Sequence, residues 1–251
     1  MTSLEPSPSP SEGRELDLGA AIPGTWALVG LIVAVHVIMA LLEARLGFTG
    51  LWDGLIFERD VRFRVSAGGQ HLDMIWAGDA YRLWTSVVLH ADGLHLLVNG
   101  IALVALGRLL EPWVGPQRLW AWFWLGGVVG SLASWGAGVT MSDGASGGAF
   151  ALLGAAAVIG GRMRGELVPE DARLVGPVLW GFLALNVVLS VAVPFVDGIA
   201  HLAGLAVGLV LGGLVGQKPG AVTSGLERIW LTAVAILLGL GWFWPELFRP
   251  H

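Results

Sequence analysis

The sequence predicts an all-α polytopic membrane protein, and three observations carry that prediction. Hydrophobic residues make up 55% of the 251 and charged residues only 13%, about half the roughly 25% usual for soluble domains. Apolar runs of about 20 residues, the length that crosses a bilayer as a helix, recur along the chain. Basic residues collect in alternate connections between those runs, as the positive-inside rule requires of a multi-span chain. A soluble protein of this composition would expose apolar surface it has no means of covering. The net charge of −5 is modest and suggests no nucleic-acid partner. With Cys 0, a disulfide framework, a thiol nucleophile and a cysteine metal site are all excluded.

Taken in order, residues 1–22 are rich in Pro, Ser and Glu without apolar periodicity, and read as a disordered cytoplasmic tail. A cleaved signal peptide fits poorly, because the tail is acidic and the first apolar run exceeds an h-region of about 7–15 residues. Seven candidate spans follow, at 24–46, 85–107, 119–138, 145–161, 174–193, 199–216 and 229–248. Residues 23–217 therefore form a core of six spans with a long first loop, and 218–251 a linker and a seventh transmembrane helix. The first connection, 47–84, mixes Asp53, Glu58, Arg59, Asp60, Arg62 and Arg64 with aromatic and aliphatic residues, and is expected to lie in the interface rather than cross it. The fourth and sixth spans are short and glycine-rich. The seventh carries Trp242 and Trp244, which suit an interfacial aromatic belt.

Orientation follows from the short loops. The connections after spans two, four and six hold Arg108, Arg118, Arg162, Arg164, Arg173, Lys218 and Arg228, whereas those after spans three and five hold no basic residue. The N-terminus is then cytoplasmic and the C-terminus external. Spans two, four and six enter the bilayer from the outer side. His90 and His95 in span two, Ser146 at the start of span four and His201 near the start of span six thus fall at one depth, near the outer face.

A serine and a histidine on separate hydrophobic helices are the minimal parts of a nucleophile and its general base. His95 and Asn99 are spaced i, i+4 on one helical face and are able to donate toward a common point, as an oxyanion near Ser146 would need. Unpaired N–H groups at the start of span four, Ser146 backbone included, add donors. Gly144 and Gly147 flank the serine and leave room for a substrate carbonyl. Gly204, Gly208 and Gly212 follow His201 in a small-xxx-small stripe, and Ser146, Phe150 and Gly154 share a face of span four, so close packing of the two helices is open to them. Each residue alone has a plainer reading. A transmembrane serine usually bonds its own i−4 carbonyl, Asn99 is able to bridge two helices, and glycine stripes mostly serve packing. His36 reads as structural, and His71 and His251 as solvated. The histidines form no HExxH pattern, so no metal is expected.

These residues resemble the rhomboid family of intramembrane serine proteases over about residues 25–216. The carriers are Tyr81-Arg82 with Thr85, the His90…His95-xxx-Asn99 series, Gly144-Ala145-Ser146-Gly147, and Ala200-His201-Leu202-Ala203-Gly204 with Gly208. The resemblance implies a rhomboid-like six-helix core plus one C-terminal helix, the 6+1 type. It implies a dyad of Ser146 as nucleophile and His201 as general base and acid, with His95, Asn99 and the Ser146 backbone N–H at the oxyanion. Arg82 and Glu111 match positions that organise the first loop and its junction with the core. Phe150 stands where many members have tyrosine against the catalytic histidine, and residues 193–198 match the loop over the active site. His90, Gly144, Gly147, Gly204 and Gly208 complete the supporting set. The expected activity is serine endopeptidase cleavage of transmembrane protein substrates in a cell membrane, without cofactor or nucleic acid. A catalytically inactive rhomboid-like protein that binds membrane helices is the first alternative, and a seven-span transporter the second.

Overall fold

A computed structural model describes residues 15–192 and 196–214 of the chain. The first long helix, α1 (Pro23–Arg45), starts with proline at a position where the missing N–H costs nothing. Its free amides are answered from elsewhere in the chain: the Glu111 carboxylate accepts from the N–H groups of Gly24 and Thr25, both at 2.7 Å, and from the Thr25 hydroxyl at 2.6 Å. Residues 15–22, assigned to the tail by their composition, are instead tied to the core. The Leu16 N–H donates to Asp171 at 2.7 Å, Arg108 donates to the Leu18 carbonyl at 2.8 Å, and Ile22 is buried.

The first connection folds into short pieces: α2 (Leu51–Ile56), α3 (Val61–Ser66), β1 (Gln70–His71), α4 (Leu72–Trp76) and α5 (Arg82–Thr85), followed by a single 3-10 turn at Ser86–Val88. Polar groups hold its interior. The buried Arg59 pairs with Glu43 of α1 at 3.3 Å and donates to the His36 carbonyl at 2.7 Å. Arg82 donates to the carbonyls of Val65 and Gly69, and the Thr85 hydroxyl to that of Gly68. Outward it presents Trp52 and Trp76, 72% and 71% exposed, the amphipathic rings expected of a segment seated at a membrane interface.

Helix α6 (Gly93–Gly136) runs 44 residues but breaks at Gly115, whose φ of 79° and ψ of 162° are non-helical. Pro112 and Pro116 flank the break, and only glycine takes that φ without strain. The two halves are the second and third expected spans. The second begins at Gly93 rather than at residue 85, because the Asp92 carboxylate caps it by accepting the His95 N–H at 2.7 Å. His90 consequently lies on the loop before the helix. His71 also departs from expectation: it is half-buried in β1 rather than solvated. His36 is buried on α1 and its Nε2 bonds the Leu55 carbonyl oxygen at 3.1 Å. His251 lies outside the described residues.

After α6, β2 (Met141–Ser142) pairs antiparallel with β1, Gln70 opposite Ser142 and His71 opposite Met141. Helix α7 (Ser146–Met163) follows, then α8 (Pro169–Arg173), an irregular turn broken at Gly176 beside Pro177, α9 (Leu179–Ala192) and α10 (Gly198–Leu214). The fifth span is regular only from Leu179, five residues after its expected start, since Pro177 cannot continue a helical ladder. Helix α7 is buried continuously from Gly147 to Ala157 and forms the centre of the bundle. Four described helices are long and apolar enough to cross a membrane, α6 holding two spans, and α10 is a shorter apolar helix. The fold is thus all-α and multi-pass, and the expected seventh span falls outside the described residues.

Candidate active site

Ser146 is the first residue of α7, and each of the four residues before it is held by a different part of the chain. The Ser142 hydroxyl donates to Asp197. The Asp143 carboxylate accepts the Gln70 N–H at 3.1 Å and faces Arg64 at 3.7 Å. The Gly144 N–H donates to the Ser86 carbonyl at 2.9 Å, and the Ala145 N–H to His90 Nε2 at 3.4 Å. The loop therefore delivers Ser146 at a fixed helix start, where the first N–H groups have no intrahelical partner.

Gly144 sits at φ 138°, and a Cβ there would lie 2.8 Å from Cε1 and 2.9 Å from Nε2 of His95. Glycine is required twice over, by conformation and by the imidazole against it. The same contact locates the His95 ring beside the residue two before the serine. His90 meets His95 edge to face, ring centroids 5.1 Å apart. Asn99 is buried one turn further along α6 and one of its amide N–H groups donates back to the His95 carbonyl at 2.9 Å.

His201 lies in the first turn of α10. Asp197 caps that turn: its Oδ1 accepts the Ala200 N–H at 3.0 Å and its carbonyl the His201 N–H at 3.1 Å. Its Oδ2 accepts the hydroxyls of Ser134 on α6 and Ser142 on β2, each at 2.5 Å. One carboxylate thus ties the histidine helix to the loop that presents the serine. The His201 ring stacks on Phe150, centroids 4.2 Å apart and planes 15° from parallel. Its Nδ1 lies 2.8 Å from the Ser190 hydroxyl of α9.

Glycines bring α7 and α10 together. A Cβ at Gly204 would strike the Gly147 carbonyl, one at Gly208 the Ala151 carbonyl, and one at Gly212 would come 2.9 Å from Ala155. Gly154 answers from α7, where a Cβ would lie 2.6 Å from the Leu205 carbonyl. The stripe read from the sequence is the contact between the helices that carry Ser146 and His201. Among the described residues, no hydrogen bond joins the Ser146 hydroxyl to the His201 ring, a bond that in unliganded enzymes is often long and tightens on binding.

The structure thus gathers Ser146, His201, His95, His90, Phe150, Gly144, Gly147, Gly204 and Gly208 in one region, with Asn99 one turn away. Arg82 lies inside the first loop, with Asp79 at 3.0 Å. Glu111 is elsewhere: it caps α1 at the end of the first half of α6, and makes no described bond to the first loop. Residues not singled out beforehand are Asp197, Ser190 and Asp143. Asp197 had a signal, an aspartate three residues before Ala200 at the mouth of an apolar run. The tip of the 193–198 loop, including Pro194, lies outside the described residues. Among the described residues, no three acidic, histidine or cysteine side chains are grouped to hold a metal ion.

Comparison with known proteins agrees with this architecture. The model of the rhomboid domain family matches residues 77–218. The chain is 29% identical over 186 residues to the rhomboid protease GluP of Bacillus subtilis, covering 74% of this chain and 36% of that protein. It is 31% identical over 184 residues to RHOMBOID-like protein 5 of Arabidopsis thaliana, covering 70% and 57% respectively. It is also 34% identical over 142 residues to inactive rhomboid protein 2 of Homo sapiens, covering 52% and 15%. The chain therefore spans between about a third and three fifths of the first two relatives.

Proposed function

The chain belongs to the rhomboid family, and from that membership we propose that it is an intramembrane serine endopeptidase acting through a Ser146–His201 dyad. One observation carries the proposal: the helix that begins with Ser146 and the helix that begins near His201 touch backbone to backbone, with the imidazole stacked on a ring from the serine helix. Membership sets aside the transporter reading.

In the proposed reaction His201 takes the Ser146 proton as the hydroxyl attacks a scissile carbonyl, then gives it to the leaving amine. In this reading the oxyanion is met by the Ser146 backbone N–H, the His95 ring and the second N–H of the Asn99 amide, whose first N–H donates to the His95 carbonyl. Water for deacylation enters from the face on which α7 and α10 begin, which the positive-inside count assigns to the outside. A substrate helix has to unwind at the cut because its own hydrogen bonds shield the peptide bond, so glycine, proline or small residues there favour cleavage. Transmembrane proteins are the proposed substrates.

The second reading, an inactive helix-binding relative, is favoured by the likeness to inactive rhomboid protein 2 and by the absence of a described Ser146–His201 bond. Reconstituting the protein in liposomes with a generic transmembrane substrate separates the two. Cleavage by the wild type that disappears in Ser146→Ala and His201→Ala supports the protease. Cleavage that is absent throughout, or equal in all three, supports the second reading or a different site.

A further inference from the structure

We propose that Ser190 is a positioning residue that selects the tautomer of His201. This rests on the dyad reading above. The Ser190 hydroxyl has one proton and two neighbours: the Asn186 carbonyl oxygen, one turn back on α9, at 2.7 Å, and His201 Nδ1 at 2.8 Å. A carbonyl oxygen only accepts, so the hydroxyl proton goes to Asn186. What Ser190 then offers His201 is a lone pair, and Nδ1 must carry the ring's N–H to use it. A neutral imidazole has a single N–H, so Nε2 is left bare, the form a general base requires.

In a catalytic triad an aspartate holds the imidazole in its productive tautomer. No carboxylate is bonded to His201 Nδ1 among the described residues, and a carbonyl-anchored hydroxyl takes its place. The bond persists through the proton cycle, because Nδ1 keeps its hydrogen whether or not Nε2 is protonated. Donating to Asn186 also polarises the hydroxyl and makes it the better acceptor.

Two further features hold the pair together. Ser190 is buried, 5% exposed, so water does not compete freely for Nδ1. Gly198, at the start of α10, has no side chain where a Cβ would strike the Ser190 carbonyl, and this lets the histidine helix lie directly on α9 at Ser190. Phe150 fixes the plane of the ring by stacking, and Ser190 fixes its rotation within that plane.

The test uses full-length protein in nanodiscs with 15N-labelled histidine, His201→Ala supplying the assignment, alongside cleavage kinetics. The wild type should show His201 with Nδ1 protonated and Nε2 bare. Ser190→Ala should give mixed tautomers and a kcat about tenfold lower with KM little changed, the scale of one buried hydrogen bond. Ser190→Thr should restore both signals, because threonine in a helix also bonds the i−4 carbonyl and keeps an oxygen toward Nδ1. A wild-type ring protonated at Nε2 would overturn the proposal, as would a Ser190→Ala variant with unchanged tautomer and kcat. Should the wild type cleave nothing yet lose its single tautomer in Ser190→Ala, the protease reading fails while the Ser190 contact stands.

Discussion

The Asp143 carboxylate is 2% exposed; among the described residues its Oδ1 accepts one hydrogen bond, from the Gln70 N–H, and its Oδ2 has no hydrogen-bond partner but lies 3.7 Å from the Arg64 guanidinium. Burial pushes its carboxyl up to about 6, against the opposing pull of Arg64 and Arg82. A raised acid binds its proton more tightly folded than unfolded, so its contribution to stability is complete below the unfolded value near 3.8 and is lost as pH rises through about 6. The loss is on the order of 1–3 kcal/mol. Thermal unfolding of wild type against Asp143→Asn from pH 4 to 7 isolates it, since the amide stays neutral. The wild type should lose stability relative to the variant across that range, and parallel curves would remove Asp143 as the cause. Asp143 carried no signal in the sequence, because an aspartate in a loop is ordinarily solvated. Ser146, His201, His95 and Asn99 were legible for the opposite reason: polar side chains inside apolar runs are costly and need a purpose. Ser190 stands between these cases. It bonds its i−4 carbonyl as an ordinary transmembrane serine does, and its second partner lies on another helix that no spacing reveals.

Helices α7 and α10 meet along a seam of glycines, and the seam makes opposite demands at neighbouring positions. Gly208 faces the Ala151 carbonyl with no room for a Cβ, whereas a Cβ at Gly213 would meet nothing within 4 Å. Gly208→Ala should force the helices apart, costing about 1–3 kcal/mol by overpacking and reducing activity through the shared contact with the site. Gly213→Ala should be neutral or up to about 1 kcal/mol stabilising, because alanine is the better helix former. Unfolding midpoints and cleavage rates of the two variants, measured together, check this, and equal effects would place the seam elsewhere. The stripe was readable because GxxxG spacing is a property of one helix. The start of α6 was not, since the apolar residues Val87, Val88 and Leu89 extend a hydrophobic window across a turn that Asp92 ends by capping the true helix. The break at Gly176 beside Pro177 shortened the fifth span for a reason that composition blurs, an irregular turn of apolar residues scoring as a span.

Across the whole molecule, the polar architecture converges on one end of the bundle. The first loop, through Ser86, Gln70 and His90, holds the segment before Ser146, and Asp197 binds that segment to the histidine helix. The succession of apolar helices and the long connection after the first of them followed from hydropathy alone. The inner organisation of that connection did not, because Arg59, Arg82 and Thr85 donate largely to backbone carbonyls, partners that no residue spacing identifies. Trapping of Ser146 by a fluorophosphonate, located by mass spectrometry in membranes containing the full chain, tests the dyad without knowledge of the substrate. The wild type should carry the adduct on Ser146, and His201→Ala should lose it by at least about a hundredfold in rate, the lower range for removing a positioned general base. Equal labelling with and without His201, or an adduct on any serine but Ser146, would mean that these two residues are not a nucleophile and its base.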